Sequence, residues 1–376
     1  MRRDRARALL EQHRLALNAH DIGTLASLYA DDATLVSPMF ETVRGKADII
    51  RSYERLFTIF PDYTVTVRDA LFITEGDRAA QFGSVTATQR VELFGLPPTG
   101  HRIEYHAARL FTFQDGLIGY EQRIYDLGGV LERLEKSRLD RELTMASVVQ
   151  QRLMARRQRS HPAFEITGSS LPCRAIGGDF LEYVDTPDGS TWIALGDVAG
   201  KGPAAALVAA MLQGMFAMVA AELDSPEAVL ARLNGALYRR GIAPGYATLF
   251  CGRLGTDGSL RYANAGHAPP LFIAGNDTRA LGAGGPILGV FDGASFPSES
   301  ITLPEQAIVL VYSDGLTEAA RSDGQDFGAD RLVDAVRAAG SQPLGSVVES
   351  VMNAVREFCG TETLVDDATV VAVRRR

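Results

Sequence analysis

The sequence contains few of the residues that would indicate a zinc site or a disulfide framework. Its 376 residues include only three cysteines, Cys173, Cys251 and Cys359, and these lie far apart. Neither the ligand spacing of a zinc site nor the pattern of a disulfide-rich secreted domain is present. These absences predict a cytoplasmic protein of the reducing cytosol, without structural zinc.

Clustered positive charge is also scarce. The net charge is −8, from 46 acidic and 38 basic residues that are interspersed along the chain. Proteins that bind nucleic acids or membrane surfaces usually concentrate Lys and Arg on one face, so we expect neither partner. The first residues, MRRDRARALLEQHRLAL, contain no apolar signal core, which argues against export.

Long apolar runs are nearly absent, and the one that approaches the length of a membrane span is Ala206–Leu223. It contains Gln213, Gly214 and Glu222 and is rich in alanine, which inserts poorly into membranes. We therefore interpret it as a helix buried against a sheet, because such helices are apolar on most of their faces.

The remaining segments predict an α+β chain of two domains joined by a helix. In residues 1–126, helical patterns come first, and long strands rich in Val, Thr, Phe and Tyr follow, separated by turn signals such as Asp115-Gly116. Helices packed on one face of a curved antiparallel sheet are the expected result. In residues 159–376 strands and helices alternate, as in a layered sandwich.

Residues 127–158 have the pattern of a long linker helix. Two leucine stripes follow a 4-3 spacing, and the second restarts one residue out of phase with the first. The stripes are Leu127, Leu131 and Leu134, then Leu139, Leu143 and Ala146. Two interpretations stay open: a short coiled coil that forms a homodimer, and an amphipathic helix packed on its own domain.

Two Gly-Asp pairs bracket a predicted hairpin in the C-terminal domain. Asp179, in G-G-D-F, precedes the first strand of the hairpin, and Asp197, in G-D-V-A-G-K-G, follows the second. Antiparallel pairing places these positions side by side, where two carboxylates repel each other unless a cation lies between them. Taken singly, either aspartate would be an ordinary turn residue.

Two further aspartates also stand at strand ends. Asp314 follows the strand IVLVY, and Asp366 precedes the last strand in V-D-D-A-T-V-V. If these strands are antiparallel neighbours, all four carboxylates gather on one rim and form an oxygen-only site that suits two Mg²⁺ or Mn²⁺ ions. The carbonyl of Val198 is a further candidate ligand. Asp367 is either a ligand or a partner of one, and that choice stays open.

Six motifs occur in order over about residues 145–376 and together resemble the SpoIIE-like branch of the metal-dependent PPM protein serine/threonine phosphatases. They are A-I-G-G-D-F, G-D-V-A-G-K-G-P-A-A-A, Y-A-N-A-G-H-A-P-P-L, G-P-I-L-G, L-V-Y-S-D-G-L-T-E-A and D-D-A-T-V-V. The resemblance implies an αββα sandwich and hydrolysis of phosphoserine or phosphothreonine by a metal-activated water. It assigns the metal ligands to Asp179, Asp197, Asp314, Asp366 and the carbonyl of Val198.

The same resemblance implies a phosphorylated regulatory protein as substrate, such as an anti-sigma-factor antagonist. Two further side chains in these motifs are weaker candidates. Lys201 is a candidate for phosphate binding or a solvated loop lysine, and His267 suits a loop-fixing role better than a general acid.

The N-terminal domain is similar to SnoaL-like domains, which are α+β cones. The similarity rests on L-A-S-L-Y-A-D-D-A-T-L, V-R-G-K-A-D-I-I and Y-H-A-A-R-L-F-T-F. It implies a sensory or dimerisation domain with a pocket for a small apolar ligand. Asp31, Asp32 and His106 are candidates for acid–base chemistry, although a helix-end cap and a strand position explain them better.

These observations favour a protein phosphatase regulated by its N-terminal domain. Two alternatives remain. One is a catalytically idle scaffold with a phosphatase fold, and the other is a bifunctional protein whose SnoaL-like domain carries small-molecule chemistry.

Overall fold

The computed structural model describes residues 3–67, 73–154, 158–241, 245–360 and 364–376. The chain divides into two units, Met1–Glu142 and Leu143–Arg376, each with its own core. Part of the strand predicted at 63–73, residues 68–72, lies outside the described residues.

The helices of the N-terminal unit form where their sequence signals predict them. They are α1 (Arg3–Ala19), α2 (Ile22–Leu28) and α3 (Lys46–Ile59). Asp21 caps α2, because its carboxylate accepts the backbone N–H of Thr24 at 2.9 Å. Helix α1 buries Leu10 and Leu17. These residues are two helical turns apart and therefore lie on the same face, which packs on the sheet.

The strands of this unit form one sheet in the order β2-β1-β7-β6-β5-β3, with β4 paired to β5. They are β1 (Tyr29–Ser37), β2 (Glu41–Arg44), β3 (Thr64–Val67), β4 (Ile73–Glu75), β5 (Arg78–Thr88), β6 (Arg102–Gln114) and β7 (Leu117–Ile124). The predicted antiparallel meander is confirmed for β5, β6 and β7, whereas β1 and β7 pair in parallel. Asp115 and Gly116 both have positive φ, 52° and 86°, as a type I′ hairpin turn requires.

Helix α4 (Leu127–Leu153) follows as one continuous element. In its first leucine stripe Leu134 is fully buried, and Leu127 and Leu131 pack against the core of the N-terminal unit. That stripe is therefore not a free coiled-coil surface, and the amphipathic interpretation is the correct one for it. In the second stripe Leu139 is 46% exposed.

The strands of the C-terminal unit form two sheets, β10-β11-β12-β13-β16 and β15-β14-β17-β18-β9-β8. They are β8 (Gln158–Ser160), β9 (Phe164–Leu171), β10 (Phe180–Asp185), β11 (Thr191–Val198), β12 (Ala247–Leu254), β13 (Ser259–Ala265), β14 (Leu271–Ala274), β15 (Asp277–Ala280), β16 (Ser298–Thr302), β17 (Ile308–Tyr312) and β18 (Ala368–Arg375). The sequence predicts one meander from the runs 246–253, 260–264 and 271–273. This is wrong for the third run, because β14 pairs with β17 in the other sheet. Pro269 and Pro270 precede β14 and cannot donate to a ladder, so the chain leaves the first sheet there.

Helices cover the outer faces of both sheets. They are α5 (Pro203–Glu222), α6 (Pro226–Arg240), α7 (Asp314–Thr317), α8 (Gly328–Ala339) and α9 (Leu344–Cys359). Helices α5 and α6 share a core with β11 and β12, and α8 and α9 share another with β17 and β18. A third core lies between the sheets, with Ile193 from one and Val371 from the other. These layers form the αββα sandwich that the resemblance of the six motifs implied.

Helix α5 is the apolar run singled out above. By length and composition alone it could cross a membrane, and 44% of its most apolar window is buried inside the protein. Leu212 and Phe216 are fully buried against the sheet, whereas Leu207 and Met218 are 74% and 70% exposed. The helix therefore packs as a core helix on one face and keeps an apolar outer face.

The two faces of α5 predict different costs of truncation. Leu212→Ala should lower the free energy of unfolding by about 2–5 kcal/mol, because it leaves a cavity in the core. Leu207→Ala, the matched control on the same helix, should change it by less than about 0.5 kcal/mol. Urea unfolding of both variants measures the difference, and equal costs would contradict this packing.

Candidate functional site

The hairpin of β10 and β11 turns two aspartates toward the gap between the sheets. Side chains alternate along β11, so Trp192 and Ala194 face the helices while Ile193 and Leu195 face the second sheet. Asp197 continues the row of Ile193 and Leu195 to the end of the strand. Phe180 pairs with Gly196, which places Asp179 beside Asp197 at the rim of the sandwich.

The second sheet supplies the other acids at the same rim. Tyr312 at the end of β17 pairs with Val370 near the start of β18, so Asp314 and the Asp366-Asp367 pair lie at one end of the ladder. Ser313 ties the two loops together. Its hydroxyl donates to the Asp367 carbonyl at 3.2 Å and accepts the N–H of Thr369 at 2.9 Å.

The acids are close enough to perturb one another strongly. Burial, together with the nearby charges of Asp314, Asp366 and Asp367, raises the pKa of Asp197 to about 7. Burial and the charge of Asp366 also raise the pKa of Asp314. The predicted convergence of the strand-end carboxylates is therefore present in the structure.

Asp179 is the most deeply buried of these acids, at 2% exposure. Burial and the charge of Asp197 raise its pKa well above the ordinary value. The hydroxyls of Thr369 and Ser313 oppose this shift, but neither carboxylate oxygen has a well-formed hydrogen bond among the described residues. Buried carboxylates are normally hydrogen-bonded or bound to metal, so this carboxylate fits a divalent cation as its partner.

Glycine allows the backbone to approach this crowded rim. The N–H of Val198 donates to the carbonyl of Gly178 at 3.3 Å, and a Cβ at position 178 would lie only 2.7 Å from the Val198 carbonyl oxygen. A Cβ at Gly315 would collide with the carbonyl of Asp367. Side chains at these two positions would push the acid-bearing loops apart.

The two adjacent aspartates before β18 have different environments. Asp367 is 5% exposed, and its carboxylate accepts the backbone N–H groups of Cys173 at 2.8 Å and Gly178 at 2.6 Å. The side chain of Asp366 is 46% exposed and pairs with Lys201 at 2.9 Å. The carboxylate of Asp367 therefore holds the G-G-D-F loop. The carboxylate of Asp366 also accepts the N–H of Asp367 at 2.9 Å, but it is the more exposed of the two and the easier for a ligand to reach.

The two weaker candidates make structural contacts. Lys201 also donates to the carbonyl of Val365 at 2.8 Å, and its hydrogen bond to Asp366 raises its pKa. His267 is 5% exposed, and burial lowers its pKa to about 4. Its Nδ1 lies 2.8 Å from the hydroxyl of Thr248, and Asn264 holds its backbone. The loop-fixing interpretation of His267 agrees with these contacts.

Two residues near the acids gave no usable signal in the sequence. Gln150 of α4 binds Gly177 on both sides, donating to its carbonyl at 2.7 Å and accepting its N–H at 3.1 Å. The Cys173 thiol lies within 4.8 Å of carboxylate oxygens of Asp366 and Asp367. Burial and the charge of Asp367 raise the pKa of Cys173 to about 11, so the thiol stays protonated at neutral pH. A lone Gln or Cys has no recognisable spacing, and only the fold brings these residues to the site.

The acid–base candidates of the N-terminal unit lie on its surface. The side chain of Asp31 is 94% exposed and pairs with Lys46 at 2.6 Å, and Asp32 is also exposed. His106 is exposed and lies 3.1 Å from the hydroxyl of Ser84. The structure does not bring these three residues into the interior. Asp31 and Asp32 lie in β1, so the helix-end cap expected for them is wrong, whereas His106 is a strand residue as expected.

Comparison with known proteins identifies both parts of the chain. The family model of Stage II sporulation protein E (SpoIIE) matches residues 187–376, half of the chain, and a SnoaL-like domain model matches residues 8–120. The SpoIIE match includes Asp197, Asp314 and Asp366 and begins after Asp179.

Curated and solved relatives agree with these matches. The phosphoserine phosphatase RsbU of Bacillus subtilis is 25% identical over 268 residues, which are 69% of this chain and 77% of RsbU. The structure of the RsbU and RsbW domains of Rv1364c from Mycobacterium tuberculosis superposes with a TM-score of 0.51 at 25% identity, covering 59% of this chain and 63% of that one. The SiaA-PP2C domain of Pseudomonas aeruginosa superposes with a TM-score of 0.57 at 20% identity, covering 64% of this chain and 99% of that domain, which supports the fold. The chain therefore belongs to the SpoIIE family of PPM phosphatase domains and carries a SnoaL-like domain in its N-terminal part.

Proposed function

We propose that this protein is a metal-dependent phosphatase that removes phosphate from phosphoserine or phosphothreonine of a protein substrate. The observation that carries the proposal is the group of aspartates at one rim of the sandwich, with Asp179 buried among them and without a well-formed hydrogen bond from the described residues. The 25% identity to the phosphoserine phosphatase RsbU supports the same reaction. A catalytically idle scaffold would have no reason to keep mutually repelling carboxylates in a buried position.

We infer that Asp179, Asp197, Asp314, Asp366 and the carbonyl of Val198 hold two divalent ions, Mg²⁺ or Mn²⁺. The donor set is oxygen only, which suits hard cations, and Cys173 as a neutral thiol does not compete. Bound ions of this kind lower the pKa of a water and polarise the phosphoryl group. Asp367 and Lys201 position the loops, since both are occupied by contacts to backbone or to Asp366.

The substrate class follows from the relatives and the charge. We propose a phosphorylated regulatory protein in the cytoplasm, such as an anti-sigma-factor antagonist. The net charge of −8 argues against a nucleic-acid substrate. In domain terms, the SnoaL-like domain (1–126) regulates the phosphatase domain (159–376) through the linker helix (127–158). The contact of Gln150 with Gly177 supports this role of the helix, because it joins α4 to the loop that carries Asp179.

Removal of a central ligand tests the reaction. Asp197→Asn should lower the Mn²⁺-dependent release of phosphate from a phosphoserine protein by at least about a hundredfold, because the substitution removes a charged ligand at nearly constant volume. Asp224→Asn, which changes an acid that is 93% exposed, is the matched control and should retain full activity. Full activity of Asp197→Asn would contradict the assignment.

The pH dependence of stability tests metal binding separately. Folding raises the pKa of Asp197 from 3.8 to about 7, so its protonated form stabilises the metal-free protein below about pH 4, and this contribution is lost as the pH rises through about 7. A cation favours the charged form instead. Mn²⁺ should therefore raise Tm by about 5 °C or more at pH 8, and by less than half as much at pH 6.

Thermal unfolding with and without Mn²⁺ at the two pH values measures this effect. In the Asp197→Asn variant the Mn²⁺-induced rise in Tm should differ less between pH 8 and pH 6, because residue 197 can no longer titrate. An equal Mn²⁺ effect at both pH values would show that the acids are not the binding groups.

We further propose that the protein is a homodimer through the second half of α4. Met145, Val148, Val149 and Leu153 form one apolar stripe and are 45–72% exposed. Met145→Glu with Val149→Glu should reduce the mass measured by light scattering from twice 40.5 kDa to that of the single chain. Lys136→Glu, an exposed control on the same helix, should leave the mass unchanged. A wild-type protein with the mass of a single chain would contradict the proposed homodimer.

A further inference from the structure

The N-terminal unit buries a group of charged side chains between its sheet and its helices. Arg109 and Arg123 are 3% and 6% exposed, and Glu121 and His13 are fully buried. Buried charges are stable only when they are paired or bound to a ligand. Each buried charge of this cluster therefore needs an oppositely charged or hydrogen-bonding partner, either inside the protein or from a ligand.

The two arginines oppose each other across neighbouring strands. Arg109 of β6 and Arg123 of β7 are direct partners in the antiparallel register. Like charges at opposed positions of a sheet destabilise it, and burial strengthens the repulsion. Two cations at these positions imply a negative charge close to both.

Glu121 is the acid closest to this pair among the described residues, and its oxygens are already occupied. Its carboxylate accepts from Arg123 Nε at 2.8 Å, from the Tyr53 hydroxyl at 3.1 Å and from the Tyr29 hydroxyl. The hydrogen bond that the structure gives Arg109 goes to the neutral hydroxyl of Tyr63 at 3.2 Å. Glu121 therefore satisfies mainly Arg123.

The charges of the cluster do not cancel. Burial lowers the pKa of His13 to about 3, so this imidazole is neutral. Burial alone would raise the pKa of Glu121, but the charges of Arg123 and Arg109 and the hydrogen bond from Arg123 hold it well below its usual range, so it is ionised. Within the part of the chain that the structure describes, two positive charges of the cluster therefore face one negative charge. Among the described residues, Arg123 Nη2 and His13 Nδ1 are also buried without a hydrogen-bond partner.

Partly exposed side chains lie on the same face of the sheet as the arginines. Ala107 precedes Arg109 by two residues on this face of β6, and Tyr105 and Tyr125 are its partly exposed aromatic neighbours. The rings of these tyrosines lie 5.0 Å apart. The exposed parts of these tyrosine rings offer a flat apolar group a surface to lie against beside the positive charge.

We propose that the N-terminal unit binds a small organic monoanion, whose carboxylate lies between Arg109 and Arg123 and whose aromatic body lies against Tyr105 and Tyr125. A carboxylate matches the planar donors of arginine, and one negative charge balances the surplus. This ligand differs from the apolar one that the resemblance to SnoaL-like domains implies. The site does not depend on the proposed phosphatase reaction.

Calorimetric titration of the full chain with benzoate, and with benzamide as the neutral analogue, tests the proposal. Benzoate should bind at least tenfold more tightly than benzamide, because only benzoate carries the charge. No heat from benzoate up to about 10 mM, where a millimolar complex would be about nine-tenths formed, would overturn the proposal. Equal affinities for the two compounds would also overturn it. Phosphatase activity is not used, so failure here leaves the proposed function intact.

The Arg109→Met variant distinguishes a role of Arg109 in ligand binding from a purely structural role. It should weaken benzoate binding by about ten- to a hundredfold, while the Tm of the free protein stays equal or rises, since a surplus buried charge is removed. Arg102→Met, at an exposed position of the same strand, should change neither property. Wild-type benzoate affinity in a folded Arg109→Met variant would contradict the site, as would a lower Tm with unchanged binding.

Discussion

The repulsion among carboxylates at the rim of the sandwich is the constraint on which the rest of the C-terminal unit depends. Asp179 and Asp197 have raised pKa values because they are buried and close to other acids. Such a group lowers stability unless a cation compensates it. The sandwich supplies the rigidity that holds these groups together, through a core of side chains from both sheets. Gly178 and Gly315 allow the loops that carry the acids to approach each other closely, because a Cβ at either position would collide with neighbouring backbone.

The N-terminal unit presents the opposite electrostatic case. There the surplus buried charge is positive, from two arginines that oppose each other across a ladder. In both units the fold places like charges where solvent cannot screen them. Each group of charges would be stabilised by a ligand of opposite charge. A divalent cation suits the aspartates, and a carboxylate suits the arginines. The stability of each unit should therefore depend on what it binds.

The sequence predicted the architecture well where patterns are local. The turn signal Asp115-Gly116 separates β6 from β7 as predicted, and the apolar run that begins at Ala206 lies in α5, because turn residues and a prolyl start define these ends. The crossing of β14 to the second sheet was missed, since a short apolar strand does not specify its partner. The convergence of the four strand-end acids was predictable because each stands beside a clear strand. The buried arginine pair was not, because register across β6 and β7 decides it.

Metal uptake is the most direct measurement of the central claim. Calorimetric titration of the full chain with Mn²⁺ at pH 7.5 should show two ions bound per chain, with release of protons from the aspartates, because a cation displaces them. Replacement of Asp179 by asparagine should weaken this uptake. An absence of Mn²⁺ and Mg²⁺ binding at millimolar concentration would contradict the account and leave a fold without the proposed chemistry.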